Sequence, residues 1–309
     1  MSVHIAAESI SRSVRQRFDA GPFSARVLAV FAHGLDLAAG DGDVVAVVSA
    51  RVGAGPLNVV VGARPDTFAQ LEVGMPASLK GGLLCVGPLQ VSVSGAVVWD
   101  PCPDWERLRA CANACAQAVR LAHSIALRLA PCGSLLPVVD SAVMGERNRS
   151  PDPPATPDAV CMTVARALSD LRAGWHGDSI RLREGVAQLA GLGGGLTPAG
   201  DDWLCGAMLG AWWAHPDPAW LCERVLESVQ RRTTLLSSAF LRAAGRGECS
   251  LSWHRLFAAL SADSPAETEA AVRHLLSIGA TSGADALAGF LWSVWPGVLG
   301  DCPHVITVL

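Results

Sequence analysis

The chain has 309 residues, half of them hydrophobic and only 17% charged, with a net charge of −4 and a mean hydropathy of +0.34. Soluble domains average about 25% charged residues, so charge is scarce, while disorder is excluded because it needs low hydrophobicity with high net charge. Lys80 is the single lysine among 24 basic residues and no basic run exists, which leaves a nucleic-acid partner without an electrostatic footprint.

The N-terminal stretch MSVHIAAESISRSVRQRF has no apolar signal core. From about residue 23 to 100 the pattern reads as β: Arg26–Phe31, Asp43–Val52, Leu57–Val61 and Gln90–Trp99 are short and valine-rich. Glycine, aspartate or proline bounds each of them, at Ala39-Gly-Asp-Gly, Gly53-Ala-Gly-Pro56, Lys80-Gly-Gly82 and Gly87-Pro88. Short strands between such turns predict a small antiparallel sheet or barrel. No strand–helix alternation supports a parallel nucleotide-binding sheet.

At Asp100-Pro-Cys-Pro103 the pattern changes. Leu108, Cys111, Cys115, Val119, Ala122 and Ala126 fall at helical spacing after Trp105. Residues 146–158 form a proline-rich polar stretch that reads as an exposed loop or linker. Beyond it everything reads as helix, over about 158–173, 178–190, 198–214, 217–230, 233–244, 253–261, 265–277 and 283–295. The prediction is an α+β chain, with an antiparallel β-rich, small barrel-like domain over 1–100 and a mainly helical domain over 101–309. The longest apolar runs, Trp203–Ala214 and Ala286–Leu299 (broken by Pro296), fall short of the roughly 18–20 residues that span a bilayer. A cytoplasmic protein with no membrane partner is expected.

Ten cysteines include no C-x-x-C, and the closest pair, Cys111 and Cys115, is four residues apart. Small buried thiols account for them. The eight histidines are scattered, without H-E-x-x-H, so a protein-only zinc site is not expected. No G-x-S-x-G elbow is present, and Cys205 and Cys249 read as packing residues.

The strongest local motif is Gly191-Leu-Gly-Gly-Gly-Leu-Thr-Pro-Ala-Gly-Asp-Asp202. Thr197 is placed to cap a helix, Pro198 to open it, and Asp201 and Asp202 to sit in its first turn. Capping alone does not call for Gly193, Gly194 and Gly195 in succession. Glycine amides beside a helix start suit a phosphate or carboxylate. The motif is neither a Walker A loop, lacking its lysine, nor a G-x-G-x-x-G fingerprint.

An echo follows at Gly279-Ala-Thr281-Ser282-Gly283-Ala-Asp285, where Ser282 and Asp285 are spaced as a near capping box. Both copies read G-x-T, a small-residue turn, then D-x-L-x-G, which suggests a two-fold related pair of helix starts. Between them Thr234, Ser237 (or Ser238) and Arg242 share one helical face, a stripe suited to an anionic ligand. Plain capping explains either feature as well. Asp201, Asp202 and Asp285 could alternatively hold Mg²⁺ if the two helix starts face each other.

These blocks resemble a bacterial family that includes the AllH-type subunit of oxamate carbamoyltransferase. The resemblance rests on Gly193–Asp202 with Leu204 and Gly206; on Thr233, Thr234, Ser237, Leu241, Arg242, Ala244 and Gly247; and on Gly279–Asp285 with Leu287 and Gly289. Gly53–Pro56 matches a family Gly-Pro turn. The family form has proline where Gly194 stands and serine where Ala199 stands, and some members carry a lysine where Leu192 stands.

The resemblance implies a subunit in anaerobic purine (allantoin) breakdown, interconverting oxalurate plus phosphate with oxamate plus carbamoyl phosphate. Its implied partners are an acyl-CoA-synthetase-like subunit and a further family-specific subunit. The expected site has Asp201, Asp202 and Asp285 as catalytic groups. Gly193, Gly194, Gly195, Thr197, Thr234, Ser237, Arg242, Thr281, Ser282 and Gly283 bind the small anionic substrate, with no obligatory metal or cofactor. The alternatives are a non-catalytic assembly subunit and a Mg²⁺-dependent hydrolase. The charge deficit further predicts a homo-oligomer when the chain is isolated.

Overall fold

A computed structural model of the chain describes residues 3–63, 66–144 and 159–295. The proline-rich stretch 146–158 lies outside the described residues. Two compact units emerge: residues up to Pro103 with Glu248–Leu251, and the remainder from Asp104.

The first unit holds β1 (Val3–Ser11), α1 (Arg12–Asp19), β2 (Phe23–Phe31), β3 (Gly34–Ala39), β4 (Val44–Ser49), β5 (Asn58–Val61), β6 (Pro76–Lys80), β7 (Leu83–Val86), β8 (Leu89–Ser92) and β9 (Val97–Trp99). Neighbours run β5-β4-β3-β2-β6-β7-β8-β1, and β1 also pairs with β5, which closes an eight-stranded barrel. β9 adds beside β1. The barrel is mixed: β1–β8 and β4–β5 are parallel, the other barrel pairings antiparallel.

Closure depends on β1, a strand the valine pattern did not mark. Its first half, Val3–Ala6, pairs with β8, and Ala7–Ile10 pair with β5 across a register shift between Ala7 and Ser9. One strand with a bulge thus turns the corner that a regular ladder could not. The turn at Gly53–Pro56 belongs to the loop that brings the chain back parallel to β4. Gly53 adopts φ 82°, and Asn58 Nδ2 donates to its carbonyl at 2.9 Å.

Alternation fills the barrel. Leu35, Leu37, Val45, Val47, Val59, Val61, Leu84, Val86, Leu89 and Val91 face one core, and Val14 and Phe18 of α1 join it. β4 is buried along its whole length, because Ala46 and Val48 pack with Val60 on the opposite face. A strand covered on both sides reads as an unbroken apolar run, which is what VVAVV is.

The helical unit contains α2 (Trp105–Ala110), α3 (Ala116–Leu129), α4 (Leu136–Met144), α5 (Ala159–Trp175), α6 (Ser179–Leu189), α7 (Ala199–Ala214), α8 (Pro218–Val229), α9 (Leu235–Gly245), α10 (Leu251–Ser261), α11 (Pro265–Leu276) and α12 (Ser282–Ser293). The helical spacing after Trp105 is interrupted: residues 111–115 form a turn that separates α2 from α3. Asn113 and Ala114 are exposed there, while Cys115 at the end of the turn is buried.

α7 and α12 form the centre of the unit. A Cβ on Gly206 would overlap the Ala286 carbonyl oxygen, one on Gly289 the Trp203 carbonyl oxygen, and one on Gly210 the Ser293 hydroxyl. These contacts are reciprocal at a constant offset, so the two helices cross about a local two-fold axis. The relation extends to their approaches. Gly200 N–H donates to Leu192 O at 2.9 Å and Gly283 N–H to Ile278 O at 3.1 Å. Added Cβ atoms would strike Leu189 O and Leu275 O, respectively. Counted from these anchors, the loop before α7 carries three more residues than the loop before α12.

Around this crossing Trp203 packs on Trp292 at 5.1 Å, and Trp175 meets Trp292 edge-on at 5.7 Å. Burial of such large rings supplies much of the unit's hydrophobic stabilisation. Among the described residues no helix is long and apolar enough to cross a membrane.

Candidate functional site

The two helix starts meet. Thr197 Oγ1 lies 3.0 Å from Ser282 Oγ, which places the beginning of α7 beside the beginning of α12. The local two-fold crossing brings this about, since glycines at equivalent positions let the backbones approach. The first turns of both helices therefore open on the same place, with N–H groups and positive dipole ends converging.

The capping details differ from the sequence expectation. Pro198, not Thr197, is the N-cap: its carbonyl accepts from Asp201 and Asp202 N–H at 3.0 and 3.1 Å. Thr197 is thereby freed to hydrogen-bond Ser282. At α12 the N-cap is Thr281, whose carbonyl accepts from Asp285 N–H at 2.8 Å, and no capping box forms. Ser282 faces Thr197 instead, and Asp285 turns inward.

The three aspartates have distinct surroundings. Asp201 is fully buried with both oxygens engaged: Oδ1 accepts from Gly191 N–H at 2.8 Å and Oδ2 from the Thr233 hydroxyl. It ties the root of the glycine loop to the approach of α9. Asp285 is also fully buried; Oδ1 accepts from Leu135 N–H at 2.7 Å, while Oδ2 has no hydrogen-bond partner among the described residues. Asp202 is half-buried, stands beside the hydroxyls of Ser282 and Thr197, and likewise has a buried Oδ2 without a partner.

Electrostatics follow from this burial. Desolvation pushes the Asp202 carboxyl up to about 7; the hydroxyls of Ser282 and Thr197 pull against it, and the charge of Asp285 adds to it. Desolvation likewise raises Asp285 to about 6, opposed by the Leu135 amide and the Thr281 hydroxyl. Near neutral pH Asp285, at about 6, is mostly ionised, and its charge helps Asp202, at about 7, to keep a proton.

The glycine loop is open to solvent. Gly193, Gly194, Gly195 and Leu196 are exposed, and Gly193 and Gly195 take φ of 110° and 90°. A side chain at either would be strained there. Thr234 caps α9, accepting from Ser237 N–H at 3.1 Å, and its hydroxyl donates to Leu196 O at 2.5 Å. The start of α9 thus props the loop from the other side. Ser237 is buried, and its hydroxyl lacks a partner among the described residues. Gly283 is buried where α12 passes Leu275.

Arg242 Nη1 donates to Ser238 Oγ at 2.9 Å, one turn back along α9. The structure therefore joins the glycine loop, Thr197, Thr234, Asp202, Thr281, Ser282 and Asp285 in one neighbourhood. Arg242 lies two turns along α9 from Thr234. The Leu135 amide and Ser134 beside it gave no sequence signal as site residues, and Thr233, marked only within the Thr-Thr block, serves as the partner of Asp201. Arg231, exposed and held at φ 62°, and the exposed Arg232 directly precede Thr233.

The Mg²⁺ alternative needs three carboxylates facing one point. Asp201 is committed elsewhere, and no group of three His, Cys, Asp or Glu side chains able to hold a metal occurs among the described residues. Cys205 and Cys249 are raised well above the ordinary thiol range by burial, with Asp202 and Asp201 adding to Cys205, which suits packing rather than nucleophilic attack.

The model of the family described as oxamate carbamoyltransferase subunit AllH matches residues 189–294, the span of both helix starts and α9. The model of the AllH family N-terminal domain matches residues 6–98, the barrel. No solved structure matches the chain. Barrel and helical core are thus matched in order by the two parts of one family, and the chain belongs to the AllH family.

Proposed function

We propose that the chain is the substrate-binding subunit of a carbamoyltransferase that interconverts oxalurate plus phosphate with oxamate plus carbamoyl phosphate, within purine (allantoin) breakdown. The observation that carries this reading is the meeting of the α7 and α12 starts under an exposed glycine loop, beside two carboxyls whose ionisation is opposed by burial. Every participant in the reaction is an anion, and helix-start amides with flexible glycine N–H groups suit anions without desolvating a counter-charge.

In this reading a phosphate oxygen attacks the terminal carbamoyl carbon of oxalurate. The bond from that carbon to the internal nitrogen breaks, and the nitrogen leaves as the amide of oxamate after taking up a proton. Amides of Gly193–Thr197 would hold the anionic groups and the oxyanion that develops at the carbamoyl carbon. Asp202, the more accessible carboxyl, supplies the proton to the leaving nitrogen, and Asp285 keeps it protonated by charge. Asp201 is a positioning residue that fixes the loop. Thr234, Ser237, Thr281, Ser282 and Gly283 shape the site, and Arg242 contributes positive charge along α9.

The family's name describes a subunit. An acyl-CoA-synthetase-like chain and a second family-specific chain would complete the enzyme, in the cytoplasm. The test is reconstitution: the chain is mixed with those two partners, oxalurate and phosphate, and carbamoyl phosphate is measured. The reading requires formation that depends on this chain and falls at least ~100-fold in Asp202→Ala, as loss of a general acid would give. Undiminished activity in Asp202→Ala would instead make this an assembly subunit, whose glycines serve only to pack helices.

A further inference from the structure

The unpartnered groups at the site point to a donor in the ligand. Asp285 Oδ2 and Asp202 Oδ2 are buried and have no hydrogen-bond partner among the described residues. Ser134, whose neighbour Leu135 donates to Asp285, is 7% exposed, and its hydroxyl also has no partner among the described residues. Buried polar atoms in native proteins are nearly always satisfied, so several orphans in one neighbourhood mark what a ligand brings. An ionised carboxylate only accepts, and a carboxyl that holds a proton still accepts through its other oxygen. A phosphate or carboxylate, being an acceptor itself, would repel them, so the anionic end of a ligand belongs at the glycine loop and something with N–H groups belongs here.

We infer that Asp202 and Asp285 recognise the primary amide (–CO–NH2) end of the substrate, while the glycine loop takes its anionic end. This deepens the carbamoyltransferase reading and rests on it. An –NH2 group carries two N–H donors that diverge from one nitrogen, and the site offers two orphaned oxygens on two helices that cross about a two-fold axis. Asp285 is held by Leu135 N–H at 2.7 Å through its other oxygen, so Oδ2 is fixed rather than swinging. Asp202 is flanked by Thr197 and Ser282, which are tied to each other at 3.0 Å. A site built to hydrogen-bond N–H groups rejects an analogue that lacks them, because its own acceptors are then left unpaired.

Isosteric pairs provide the test. Pyruvate is oxamate with a methyl in place of –NH2, and acetyl phosphate is carbamoyl phosphate with the same exchange. Affinities of the full chain for all four are measured by calorimetry. The inference requires oxamate and carbamoyl phosphate to bind more than about tenfold tighter than their methyl counterparts. It also requires Asp202→Asn and Asp285→Asn, which turn a donor toward the ligand, to bring the ratio close to one. Equal affinity within both pairs for the unaltered chain overturns the inference while leaving anion binding intact. So does discrimination that survives in both variants. If none of the four binds, the functional reading falls, and the inference falls with it.

Discussion

At the residue scale, two neighbouring aspartates in one helical turn do different work. Asp201 and Asp202 are indistinguishable in sequence as first-turn carboxylates, yet one is sealed between Gly191 N–H and Thr233 and the other faces the α12 start. The folded-state carboxyl of Asp202 sits at about 7 against an ordinary 3.8. The stability linked to its protonated form is therefore complete below about pH 4 and is lost as pH rises through about 7. Asparagine has no such loss. Thermal unfolding of Asp202→Asn should exceed that of the unaltered chain by roughly 2–8 °C at pH 8 and converge with it near pH 4.

Thr233→Val makes the opposite case. It strands a buried Asp201 oxygen, at a cost of about 1–3 kcal/mol. A denaturant midpoint lowered at constant slope would show it, and an unchanged midpoint would mean that the Asp201–Thr233 contact contributes nothing. The amides and hydroxyls that these aspartates choose, Gly191, Thr233 and Leu135, are 10 to 150 residues away in the chain. No local pattern could have named them.

At the element scale, what could be read in advance was what repeats locally. The capped, glycine-preceded start of α7, its echo at α12 and the Thr-Thr start of α9 are all carried by short spacings, and helices stand in those places. β1, β3, β6 and β7 went unmarked because VHIAAESIS, GLDLAA, PASLK and LLCV lack the valine density and clean alternation of β4 or β5. Their pairing is decided by barrel closure, a long-range property. The exact cap also escaped, since whether Thr197 or Pro198 ends the coil depends on Ser282 in another helix. The crossing of α7 and α12 makes a sharp prediction. Ala at Gly206 or Gly289 drives a methyl into a backbone carbonyl, which no rotamer change relieves. Each variant should lose about 3 kcal/mol or more, read as a fall of roughly 6–12 °C in Tm. A Gly194→Ala change, where a Cβ meets nothing within 4 Å, should leave Tm nearly unaltered.

At the scale of the whole molecule, scarce charge and high hydropathy have a partial explanation in the tryptophan-rich crossing of the helical unit. The rest is at the surface. Val97 and Val98 of β9 are 69% and 50% exposed, and Phe31 and Val52 are about half exposed. Exposed apolar side chains on a charge-poor surface favour association. Sedimentation of the purified chain at micromolar concentration should give a mass above the 32.1 kDa of one copy. A monomer there would confine that surface to the partner subunits.

The paired starts of α7 and α12 are proposed to form the ligand site. A crystal structure of the chain with oxamate tests it directly. Oxamate should lie between the glycine loop and Ser282, its carboxylate on the amides of Gly193–Thr197 and its –NH2 on Asp202 and Asp285. Oxamate bound elsewhere on the chain, with this site unoccupied, would contradict it.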